Sequence, residues 1–180
     1  FAVGAAERDT ILPKGVKDGD VLIALPSSGF HSNGYSLIRK VVSTVKLDYQ
    51  DTAPFNDSCS LGDALLVPTR IYVKDCLTLH KKGLAKAFAH ITGGGLIENI
   101  PRILPPGLGV KFIPNTMSLP PMMYWLAKVG DIKAEEMTRT FNCGIGMIVI
   151  VSETNADKAL ELLKENDEKC EPVGIVTKVS

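Results

Sequence analysis

Excess charge of either sign is missing from this 180-residue chain, in which twenty Lys and Arg balance twenty Asp and Glu. Without a basic surplus there is no electrostatic footprint for nucleic acid or for an anionic membrane surface. The four cysteines, at positions 59, 76, 143 and 170, form no C-x-x-C pair, which removes the usual zinc and dithiol redox motifs. Cys76 and Cys143 stand in apolar surroundings and read as buried thiols, in keeping with a reducing, cytoplasmic compartment. No apolar run approaches the ~20 residues that span a bilayer, and no charged-then-apolar stretch resembles a signal peptide. Nucleotide fingerprints are absent too. Gly93-Gly94-Gly95 is not followed by the Lys-Ser/Thr of a P-loop, and no G-x-G-x-x-G occurs.

What is present is an ordinary globular composition, 45% hydrophobic and 22% charged, at a length that predicts one domain. Phe1-Ala2-Val3-Gly4 reads as the inside of a strand with no initiator Met, so a piece of a longer polypeptide is expected. Asp18-Gly19-Asp20 could hold a metal, but acids clustered in a turn are ordinarily just solvated, and no metal site is assigned. The chain is organised around residues 25–39. Apolar residues 21–25 predict a buried strand, and Tyr35, Ile38, Val41, Val42 and Val45 recur at helical spacing. Between them lie Ser27, Ser28, Gly29, Phe30, His31, Ser32, Asn33 and Gly34. The glycines allow a tight path and close approach by a ligand. Ser32 or Asn33 can cap the helix, whose N-terminus gathers partial positive charge. His31 is the one side chain of the turn that could carry a full positive charge. Together these features predict an anion site rather than a plain β–α connection.

A second strand–glycine–helix connection runs over 85–102, through His90, Thr92, Gly93, Gly94 and Gly95 into Leu96, Ile97 and Ile100. Consecutive glycines cost conformational entropy in any fold, so backbone must here approach a ligand or another backbone. His90, at the strand end, reads equally as a ligand contact or a packed histidine. Elsewhere the pattern predicts an exposed loop over 48–60, and helices over 61–66 and 69–79 interrupted by Pro68. His80 falls in the last turn of the second of these, where it opposes the helix dipole. Strands are predicted over 109–113, 147–151 and 173–179, and helices over 120–126, 134–139 and 155–163. Strand–helix alternation with doubled elements predicts an α+β fold, a mixed β-sheet flanked by helices.

Three stretches resemble one family. Ser27-Ser28-Gly29-Phe30-His31-Ser32-Asn33-Gly34-Tyr35-Ser36-Leu37-Ile38-Arg39 is similar to the signature of the phosphoribosylformylglycinamidine cyclo-ligases, also called aminoimidazole ribonucleotide synthetases. His90-Ile91-Thr92-Gly93-Gly94-Gly95-Leu96-Ile97-Glu98-Asn99-Ile100-Pro101-Arg102 and Phe141-Asn142-Cys143-Gly144-Ile145-Gly146-Met147 resemble it in the same order. Leu66-Val67-Pro68-Thr69-Arg70-Ile71-Tyr72 also fits, and Phe1-Ala2-Val3-Gly4 looks like the family's interdomain junction. The wording is nearest the eukaryotic form, which is often fused to two other purine-pathway enzymes.

The resemblance covers nearly the whole chain, but only the C-terminal, substrate-binding domain of a two-domain enzyme. It implies the ring closure of formylglycinamidine ribonucleotide to aminoimidazole ribonucleotide, with ATP and Mg²⁺, in a homodimer. The nucleotide loop and acidic metal ligands would come from the N-terminal domain of the same polypeptide, so this chain alone is expected to be inactive and to hold no cofactor. By resemblance, Ser27, Ser28, Gly29, His31, Ser32, Asn33 and Gly34 would hold the ribonucleotide phosphate. Thr92, Gly93, Gly94, Gly95 and Asn142 would line the substrate or ATP cleft, and His90 would assist proton transfer or orient the amidine. Formylglycinamidine ribonucleotide synthetase and selenophosphate synthetase share the superfamily and stand as alternatives, as does a non-catalytic scaffold.

Overall fold

A computed structural model describes residues 1, 3–114, 116, 118–165 and 169–179. In chain order the elements are β1 (Val21–Pro26), α1 (Tyr35–Thr44), β2 (Thr52–Ala53), β3 (Asn56–Ser60), α2 (Leu61–Leu65), α3 (Val73–Lys81) and β4 (Ala85–His90). They continue with α4 (Gly95–Asn99), β5 (Leu108–Phe112), α5 (Pro121–Val129), α6 (Ala134–Thr140), β6 (Ile145–Val151), α7 (Ala156–Lys164) and β7 (Glu171–Lys178). The α+β architecture is the one expected. Its five-stranded sheet has the order β4-β6-β1-β7-β5, and every pairing is antiparallel, where strands of mixed direction were expected.

β1 and β6 sit inside the sheet and are apolar on both faces because both faces are covered. On one face Leu22, Ala24, Ile148 and Ile150 pack with Ala87, Ala89, Ile100, Val173 and Val176. On the other, Ile23, Leu25, Val149 and Val151 meet Leu79 of α3 and Ala159 and Leu163 of α7. A third cluster joins four helices: Ile38, Val41 and Val42 of α1, Leu61 and Leu65 of α2, Met123 and Leu126 of α5, and Met137 of α6, closed by Phe30 and Phe141. Phe30 follows β1 and Phe141 precedes β6, so this cluster belongs to the end of the sheet where β1 stops and β6 starts.

Several local expectations give way to packing. Residues 1, 3 and 4 form no strand; Phe1 and Val3 are fully exposed, with no strand among the described residues paired to them, and Ala2 lies outside the described residues. The polar 48–60 stretch holds the short β2–β3 hairpin. α3 starts at Val73 rather than at position 69, because residues 67–72 are tied without helix to the turn after β1, through the Pro68 carbonyl and the Tyr72 hydroxyl. Asp20 is 1% exposed instead of solvated: both its oxygens accept from Lys86 Nζ, at 2.7 and 2.8 Å, and one also accepts the Lys17 N–H. Cys76 and Cys143 are half-buried and Cys170 is buried, and burial pushes their thiols up to about 11, 11 and 12. No helix of the described residues is long and apolar enough to cross a membrane.

Candidate functional site

The antiparallel pattern brings three sequence motifs to one edge. β1 ends at Pro26 opposite Ile145, and β4 ends at His90 opposite Met147. The turns after β1 and β4 and the turn before β6 therefore stand side by side. Ser27 N–H donates to the Gly144 carbonyl at 2.8 Å, and Ile91 N–H to that of Gly146 at 2.9 Å. The first two turns also meet: a Cβ added at Gly93 would lie 3.8 Å from Asn33 Oδ1.

The first turn is held from inside. Asn142 is completely buried; its Nδ2 donates to the Gly29 carbonyl at 2.8 Å, while its Oδ1 accepts from Ser27 Oγ and from the Gly144 N–H. Asn142 thus lies behind the turn and does not line a cleft as expected, since no surface of it is left for a ligand. The Ser28 hydroxyl donates to the Pro68 carbonyl at 2.7 Å, and the Ser32 and Thr69 hydroxyls are 3.4 Å apart. The 67–72 segment is strapped over the turn by these bonds. Neither Ser32 nor Asn33 caps α1. Gly34 does, at φ +76, because the Phe141 ring occupies the space a Cβ would need. From Gly29 to Leu37 no backbone N–H makes a hydrogen bond of ordinary geometry to an acceptor among the described residues. Such a run of donors ahead of a helix that has no side-chain cap is what an anion requires.

His31 is 4% exposed and adopts φ +56. Its Nε2 accepts the Ser28 N–H at 3.1 Å, so the ring is neutral with its proton on Nδ1, and that Nδ1 is buried without a partner. Burial first, then the charges of His90 and Arg70, hold the imidazole below its usual value. So held, this side chain does not carry the full positive charge of which it alone in the turn is capable. A histidine so held binds protons more readily when unfolded, so its contribution to stability is complete above about 6.5 and is lost as pH falls below it. Urea unfolding is expected to show lower stability at about pH 5.5 than at about pH 7.5, with a shallower dependence in His31→Asn. Equal pH dependence in both proteins would contradict the neutral assignment.

Beside His31 stand two rings, Tyr72 with its centroid 6.2 Å away and His90 at 6.3 Å. Tyr72 donates its hydroxyl to the Pro26 carbonyl at 2.8 Å, and burial raises it so that it stays protonated. The Arg70 guanidinium lies 5.3 Å from the Tyr72 ring centroid and donates to the same Pro26 carbonyl. Room for this group exists because residue 146 is glycine: a Cβ there would fall 1.7 Å from Tyr72 Oη and 2.8 Å from His31 Cε1. His90 is exposed at the end of β4, beside the glycine turn.

The second turn has its own buried asparagine. Asn99 Nδ2 reaches the carbonyls of Thr92, Gly93 and Gly95, at 3.3, 3.2 and 2.8 Å, and Thr92 Oγ1 meets its Oδ1. The three glycines have separate reasons: Gly95 lies against the α6 backbone, Gly94 caps α4 at φ +93, and Gly93 leaves open space beside Asn33. Asn99, Arg70 and Tyr72 were given no role on sequence grounds, although each falls inside a quoted motif. Among the described residues no three His, Cys, Asp or Glu stand together as a metal cage.

The chain belongs to the family described as AIR synthase related protein, C-terminal domain, whose model matches residues 17–180. Solved structures agree on the fold. PurLQS from Thermotoga maritima is 15% identical, with a TM-score of 0.55 over 97% of this chain and 25% of its own. T. maritima PurL complexed with FGAR is also 15% identical, with a TM-score of 0.52 over 95% of this chain and 26% of that one. HypE of E. coli, a hydrogenase maturation protein, is 14% identical, with a TM-score of 0.57 over 92% of this chain and 46% of its own. The chain thus spans about a quarter of the length of the PurL proteins and under half of HypE.

Proposed function

We propose that this chain is the substrate-gripping domain of an ATP-dependent phosphoribosylformylglycinamidine cyclo-ligase of purine synthesis. The observation that carries the reading is the row of unpartnered N–H groups after Gly29, set at the edge where all three family motifs meet. In this reading the ribonucleotide phosphate lies on the 27–34 turn, with Ser32 and Asn33 adding side-chain bonds and Ser27, Ser28 and His31 holding the turn in shape. Each charge-assisted hydrogen bond contributes roughly 1.5–3 kcal/mol. The open face at Gly93, next to Asn33, admits the rest of the substrate, and His90 stands beside it to orient the amidine or move a proton. ATP and Mg²⁺ would activate the formyl oxygen by phosphorylation, and the metal's carboxylates are expected from the remainder of the enzyme, as is the homodimer contact.

A second reading, formylglycinamidine ribonucleotide synthetase, is favoured by the fold shared with a PurL protein solved with FGAR. Both readings place a ribonucleotide phosphate here, and assay of the intact protein with each substrate separates them. In that protein Ser32→Ala is expected to raise KM for the ribonucleotide about tenfold. His31→Ala is expected to lower kcat/KM further, because it also releases the Ser28 N–H. Unchanged kinetics in both variants would remove the phosphate assignment.

A further inference from the structure

The grip of Asn142 on Gly29 has a directional consequence. In a planar trans peptide the carbonyl and the following N–H point opposite ways. Asn142 Nδ2 holds the Gly29 carbonyl at 2.8 Å and is itself fully buried, so the Phe30 N–H is turned away from that interior. That N–H has no acceptor among the described residues, although Phe30 is only 2% exposed. The Asn142 amide cannot swing round to relax this arrangement, since its Oδ1 is engaged by Ser27 Oγ at 3.1 Å and the Gly144 N–H at 2.9 Å. Asn99 does the same at the second turn, drawing in the Thr92 and Gly93 carbonyls.

Resting on the phosphate reading above, we propose that the Phe30 N–H is a principal phosphate donor of the turn and that Asn142 is the positioning residue that aims it. Asn142 touches no ligand. It makes the donor available before ligand arrives, so reorganisation is not charged against binding. Asn142→Asp keeps the shape and both acceptor bonds but sets an oxygen against the Gly29 carbonyl, and the Gly29–Phe30 peptide loses its fixed direction.

The test is an amide-resolved NMR titration of the chain with ribose 5-phosphate, with ribose as the uncharged control. In the wild type the Phe30 amide proton is expected to move downfield with ribose 5-phosphate and to stay in place with ribose. Asn142→Asp should shift the Phe30 amide before any ligand is added and weaken binding about tenfold or more. Leu163→Ala, a core truncation beneath α7, controls for lost stability and should leave the affinity unchanged. Wild-type affinity in Asn142→Asp would overturn the proposal. So would a wild-type titration in which other amides of the turn respond and Phe30 does not; that result leaves the phosphate site standing and needs no variant to fold. If no amide from Gly29 to Leu37 responds, the phosphate reading and this proposal fall together.

Discussion

Replacing Gly95 by alanine is expected to lower the thermal midpoint by about 6–12 °C, the shift that follows from a loss of about 3 kcal/mol in a chain of this size. The added methyl would lie 2.0 Å from the Thr138 carbonyl oxygen and 3.0 Å from that of Phe141. These are backbone atoms of α6 and the turn after it, which cannot rotate away as a side chain could. Gly95 also stands at φ +57, where an L residue is strained. α4 must therefore move off α6, and the second glycine turn moves with it. Gly93→Ala supplies the contrast. Its methyl meets only Asn33 Oδ1, at 3.8 Å, so the midpoint should change by no more than about 3 °C in either direction. Differential scanning calorimetry of the two variants checks both values. Equal shifts would mean that the glycines are interchangeable turn residues.

Lys86→Met is expected to cost about 3–5 kcal/mol, because it strands the Asp20 carboxylate in the interior. Asp20 is 1% exposed and receives Lys86 Nζ on both oxygens, so its charge has no route to water when the ammonium is removed. The double variant Asp20→Asn, Lys86→Met should recover much of the loss, since paired removal leaves no buried charge. Urea unfolding of the single and double variants measures the coupling. Asp20 and Lys86 lie at the start of β1 and β4, the opposite end of the sheet from the glycine turns. Ribose 5-phosphate affinity should survive these changes wherever the variant remains folded. A double variant as unstable as the single one would show that the pair is not the source of the effect.

Much of the sheet was legible because 21–25 and 147–151 are unbroken apolar runs packed on both faces, while 173–179 is found from Val173, Ile175 and Val176 although Ile175 and Lys178 are exposed. The 52–60 hairpin escaped because Asn56, Asp57 and Ser58 carry no alternation, and its short strands close by register alone. The two glycine turns were found from composition, and their juxtaposition follows from strand order, which no local pattern encodes. His31 stood out in the sequence as a candidate, but its protonation state did not, because that depends on the Ser28 N–H and on burial by Tyr72 and the β6 backbone at Gly146. Asn142 looked like a ligand contact and Asn99 had no assigned role because sequence shows a polar side chain without showing which way it faces. Both face inward, and both hold glycine-turn carbonyls. Tyr72 went unassigned since it fell in the predicted 69–79 helix, where an aromatic is commonly core, and here it packs with the core on one side and stands beside His31 on the other.

The central claim, that the turn after β1 takes a ribonucleotide phosphate, is tested most directly by calorimetric titration of the chain with formylglycinamidine ribonucleotide, comparing wild type with His31→Ala. The account predicts binding that ribose 5-phosphate competes for and that weakens about tenfold or more when His31 no longer holds the Ser28 N–H. Ribonucleotide binding that ignores both ribose 5-phosphate and the His31→Ala change would contradict it.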